Sequence, residues 1–151
     1  MKNASTSLDV RVEQMLTEAR VMLPGAQALL GFQLAILLTQ EFANLPEPAK
    51  IVHTLALCCV ALTVILLMTP ASVHRIGYGG ENTERFLRLG SRLVIAAAVP
   101  LAGGIAGDIY VAVTKALNWP QAGILTAAAT AALLAGLWIV YPFLLRRTRG
   151  A

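Results

Sequence analysis

Charge is what this chain has least of. Only 13% of its 151 residues are Asp, Glu, Lys or Arg, against roughly 25% in an ordinary soluble domain. With 57% hydrophobic residues and a mean hydropathy of +0.69, a single membrane domain is expected rather than a water-soluble one. Cysteine is scarce too. Cys58 and Cys59 are adjacent inside an apolar run, where a disulfide between them is geometrically unfavourable and buried packing is the simpler role. No His, Cys, Asp and Glu stand at metal-ligand spacing, so neither a metal nor a cofactor is expected. Serine is limited to Ser5, Ser7, Ser72 and Ser91, none beside an activating base. Phosphate loops, zinc signatures and nucleophile elbows are all missing, and an enzyme is not expected. The net charge is +4, but no basic groove is interleaved with aromatics, which argues against nucleic acid as a partner.

What is present is a set of long apolar stretches. Four are about long enough to cross a bilayer: 23–42, 51–69, 93–113 and 122–145. The expected fold is all-α, a four-transmembrane-helix bundle. Before it, residues 1–22 carry Leu8, Val12, Met15, Leu16, Ala19 and Met22 at helical spacing among Asp, Glu and Arg. They read as a cytoplasmic tail and amphipathic helix, with Ser7 as a candidate cap. Acidic residues precede the first apolar run, which does not suit a signal peptide. Pro24 and Gly25 suggest a change of direction into the first span. Pro70, directly after the second span, suggests its end. Residues 146–151 form a basic tail.

Lysine and arginine are unevenly placed. Ten of the twelve fall in the N-terminal segment, in the connection between spans two and three with the start of span three, and in the tail. Lys50 and Lys115 fall in the other connections. The positive-inside rule then places both termini in the cytoplasm of a cell whose inner (plasma) membrane holds the protein. Arg85, Arg88 and Arg92 share a helix face, and with Arg146 and Arg147 they are candidate contacts for lipid headgroups.

Four polar residues inside apolar runs are candidates for chemistry. Gln27, Gln33 and Gln40 lie in the first span, with Gln33 and Gln40 seven residues apart and therefore on one helix face. They could line a route for a small cation or simply join helices. Asp108 lies about 22 Å along the third span from Leu93. An intramembrane carboxylate is a functional candidate by default; alternatively the span ends early at Gly107 and Asp108 is interfacial. Small residues at Gly103 and Gly107, and at Gly123, Ala127, Ala131 and Ala135, suggest that spans three and four pack closely, and a homo-oligomer is expected.

Three stretches together resemble a known family. They are Glu18-Ala19-Arg20 with Leu23-Pro24-Gly25-Ala26-Gln27, then Pro70-Ala71-Ser72-Val73-His74-Arg75, then Trp138 to Arg147. The chain resembles, over nearly its whole length, a bacterial family of small four-span membrane proteins of unestablished function. Some members carry an automatically assigned sodium:proton antiporter label. The resemblance sets Glu18, Arg20, Gly25, Gln27, His74 and Arg75 at motif positions. Glu18 and Arg20 are expected near the same membrane face as His74 and Arg75, where a Glu18–Arg75 clamp, lipid-headgroup binding and pH sensing are the alternatives. Two functions stand: a small proton or sodium transporter or channel, and a non-transporting accessory protein that binds lipids or partner membrane proteins.

Overall fold

The computed structural model describes residues 2–148. The chain is helical throughout, without strands among the described residues: α1 (Lys2–Leu37), α2 (Gln40–Ala43), α3 (Glu47–Ser72), α4 (Glu84–Leu117), α5 (Pro120–Ala135) and α6 (Tyr141–Thr148). Wide π-helical turns at Val73–Gly77 and Gly136–Val140 continue α3 and join α5 to α6. Four continuous stretches are long and apolar enough to cross a membrane: Ser7–Leu37, Glu47–Gly77, Glu84–Leu117 and Pro120–Thr148. The all-α, four-span architecture is therefore as expected, and the molecule is a multi-pass membrane protein. Arg149 lies outside the described residues.

The boundaries differ from those expected in instructive ways. Helix α1 does not turn at Pro24 and Gly25; it runs unbroken from Lys2 to Leu37, and Ser7 lies within it rather than capping it. A proline costs a helix one backbone bond and some strain, and here the neighbouring turns carry α1 through. At the other end α1 stops sooner than expected. Thr39 is extended, and its hydroxyl accepts the Phe42 amide at 3.2 Å to start the separate helix α2. Likewise Pro70 does not end the second span, but is buried inside α3. Thr83 caps α4 by accepting the Phe86 amide at 3.1 Å.

Helices α1, α3 and α4 enclose the main core. Val12, Met15 and Ala19 of α1 meet Leu67 of α3 and Phe86, Leu87, Val94 and Ala97 of α4. The most extensive packing is between α3 and α4, and glycine lets the two helices come close. A Cβ on Gly107 would come within 2.8 Å of the Ala56 Cβ, and one on Gly104 would press on Val60 and the Ala56 carbonyl. The third-span glycines therefore face the second span, not the fourth. Gly123 is where α5 closes on α4, against Thr114 and Tyr110. Beyond it the two helices part around Gly107, Tyr110, Ala127 and Ala131.

Candidate functional site

The register that follows from this packing brings three polar side chains together inside the bundle. The Gln33 Nε2 donates to Asp108 Oδ2 at 2.8 Å. The His53 Nε2 lies 3.1 Å from the Gln33 backbone carbonyl, and its Nδ1 lies 3.9 Å from Asp108 Oδ1. Gln33 and His53 are each 1% exposed, whereas the Asp108 side chain retains 23%. One residue comes from each of α1, α3 and α4. Helix α4 continues nine residues past Asp108 to Leu117, about 13 Å at 1.5 Å per residue. The early end at Gly107 is therefore not observed, and Asp108 stands within a span.

The hydrogen bonds constrain where protons sit. A carbonyl can only accept, so the bond to Gln33 O requires a proton on His53 Nε2. The Nδ1 side then faces the carboxyl of Asp108. That contact is attractive when one proton is held on Nδ1 or on the carboxyl, and repulsive when lone pair meets carboxylate. The amide supplies the remaining polarity: Gln33 Oε1 is buried without a partner. An unpaired buried acceptor costs about 1–3 kcal/mol.

Water is excluded on the side of α2. Phe42 stacks against His53 with ring centroids 5.4 Å apart, and packs with Leu45, Ala49, Val52, Tyr110 and Val111 in a small second core. At the rim Lys115 pairs with Glu41 at 2.7 Å and Lys50 with Glu47 at 2.9 Å. The Lys115 hydrogen bond and charge hold the Glu41 carboxyl below its ordinary pKa.

The opposite end carries a second polar network. Asp9 accepts from Asn82 Nδ2 at 2.8 Å, and Asn82 Oδ1 lies 3.0 Å from His74 Nε2. His74 stacks on Phe86 at 4.7 Å, and Arg11 pairs with Glu84 at 3.2 Å. No Glu18–Arg75 pair occurs among the described residues; the link between α1 and the connection to α4 runs through Asp9 and Arg11 instead. Glu18 is exposed beside Glu13 and Gln14. Gly25 is an exposed position on α1, with open space where a Cβ would stand. Arg20 and Arg75 line a groove between α1 and α3. Arg85, Arg88, Arg92, Arg146 and Arg147 are all exposed.

Of the residues expected to line a route, Gln33 and Asp108 meet. Gln27 faces outward, and Gln40 stands on α2 beyond the break, exposed, so it shares no helix face with Gln33. His53 was not among the expected site residues, since Lys50 and the preceding prolines suggest an interfacial position. The available signal is periodicity: Ala49, His53, Ala56, Val60, Thr63 and Leu67 form one buried face of α3.

Four membrane-length helices, three of which meet at a largely buried Gln–His–Asp cluster, define a small multi-pass membrane protein with a polar site within its spans. The chain belongs to the DUF6328 family, a family of unknown function, whose model matches residues 2–142. No curated protein and no solved structure matches it.

Proposed function

We propose that the protein is a small ion transporter whose cargo is the proton, with Asp108 and His53 as the protonated pair and Gln33 as the group that follows their state. The observation that carries this reading is the buried cluster itself, with Gln33 Oε1 left unpartnered beside a carboxyl that is partly exposed. When Asp108 is ionised, the Gln33 Nε2 donates to it, as observed at 2.8 Å. When Asp108 takes up a proton, its O–H becomes a donor, and a rotated Gln33 amide presents Oε1 to it. The amide thus bonds the carboxyl in both states, with one of its own polar atoms left over in each.

A proton fits the cluster better than sodium. A bare hard cation favours roughly six oxygens, whereas the free oxygens at the cluster are those of the Asp108 carboxyl and Gln33 Oε1. The excess of arginine at the end holding both helix termini supports a location in a bacterial inner membrane with that end in the cytoplasm. The outward face of α5 and α6 supports assembly as a homo-oligomer. The alternative is a non-transporting accessory protein that holds lipids or partner proteins, favoured by the exposed Arg85, Arg88, Arg92, Arg146 and Arg147.

Proton and sodium flux in proteoliposomes separates the two. The wild-type chain is expected to dissipate a pH gradient, and Asp108→Asn and Gln33→Ala to abolish most of that flux while oligomer size is preserved. Flux no greater than that of empty liposomes, for either ion across several pH values, removes the transport reading.

A further inference from the structure

Arg20 sits deeper than a surface arginine should. Met15 packs on Gly90 and Gln33 bonds Asp108, both pairs separated by 75 residues in sequence. The same register sets Arg20 level with Ile95, about one helical turn inside Arg92 and within the apolar part of α4. On α3 its neighbours are Leu67 and Met68, which line one groove of about 530 Å³ together with Arg20. No acidic side chain reaches Arg20 or Arg75 among the described ion pairs.

A guanidinium at that depth is expensive unless it meets an anion or extends to the interface. The groove supplies the geometry for the first. Leu23, Leu67 and Met68 line its apolar part, and Arg20, Ser72 and Arg75 supply its polar groups. Arg75 is set there by the wide turn after α3, closed by the Tyr78 amide donating to the Val73 carbonyl at 3.2 Å. His74 also lines the groove but is already engaged with Asn82.

We propose that this groove binds one anionic phospholipid, its phosphate held by Arg20 and Arg75 and an acyl chain laid along Leu23, Leu67 and Met68. Planar guanidinium groups suit phosphate oxygens in paired hydrogen bonds. Inorganic phosphate would satisfy the arginines but leave the apolar walls unused. The chain and the headgroup together distinguish this groove from the exposed arginines of α4 and α6, which present charge without an apolar channel.

The test is native mass spectrometry of the delipidated full chain in neutral detergent, titrated with phosphatidylglycerol, phosphatidylcholine or inorganic phosphate. One phosphatidylglycerol is expected to be retained in preference to phosphatidylcholine, and not to be displaced by inorganic phosphate. Arg20→Gln with Arg75→Gln should weaken that adduct by about tenfold or more, while Lys50→Gln with Lys115→Gln, at the other end of the bundle, leaves it unchanged. Ala71→Trp keeps both charges and fills the groove, so it should also lose the adduct; it decides the matter if the double variant fails to fold. Equal retention of both lipids, displacement by inorganic phosphate, or unchanged binding by Ala71→Trp overturns the proposal.

Discussion

The two ends of the bundle carry the same three kinds of side chain. At one end Asp9, Asn82 and His74 form a chain of hydrogen bonds; at the other the Gln33 amide bonds Asp108, and His53 bonds the Gln33 backbone carbonyl with its second nitrogen 3.9 Å from the carboxyl. Asn82 and Asp9 are exposed, so water can replace any partner that leaves. Gln33 and His53 are closed off, so every missing bond there is felt. The same kinds of side chain thus form a hydrated clamp at one end and a closed cluster at the other. Solvation, not residue type, separates the two roles.

The sharpest way to break this comparison is to delete each histidine. His53→Ala leaves a cavity and an unmet acceptor, with an expected loss of about 2–4 kcal/mol. His74→Ala removes an exposed bond and a ring contact, with an expected loss of no more than about 1 kcal/mol. Denaturant titration in detergent measures both, and equal losses would mean that the two networks are energetically alike. Next in size is the glycine contact that brings α3 to α4. Gly107→Leu should cost about 1–3 kcal/mol by overpacking against Ala56, and should separate His53 from Asp108 so that proton flux falls with it. Gly103→Ala, whose Cβ would meet Cys59 Sγ at an ordinary 3.6 Å, should leave both flux and stability near wild type.

How much of this was legible in the sequence follows the same division. The spans are readable because lipid demands long apolar helices, and Gln33 and Asp108 stand out as polar residues within them. His53 does not, because the depth of a residue near a span's end depends on what covers it. Here Phe42 packs over it after a break at Thr39, and Thr39, Gln40 and Glu41 read in sequence as the polar end of a span, not as a break within it. Small residues announce close packing without naming the partner: Gly103, Gly104 and Gly107 suit either neighbouring helix, and only the folded chain turns them toward α3. Pro24 misleads for a related reason. Proline marks helix ends in isolation, but a long helix held by its neighbours absorbs one.

The smallest expected effect lies at the rim beside the buried cluster, where Glu41 pairs with Lys115. Glu41 is fully exposed to solvent, so the pair contributes little and salt weakens it. Its sign with pH is still definite. The Lys115 hydrogen bond lowers the folded carboxyl's pKa below the ordinary 4.5. The pair therefore stabilises the fold above that ordinary value, and its contribution disappears as pH falls through the depressed one. Glu41→Gln should unfold slightly earlier than wild type at neutral pH and converge with it in acid, below the depressed pKa. Thermal unfolding in low-salt detergent across that range measures the gap. A difference that persists in acid would mean that Glu41 acts through something other than its charge, such as the start of α2 above Phe42, and would tie this rim to the cover over His53.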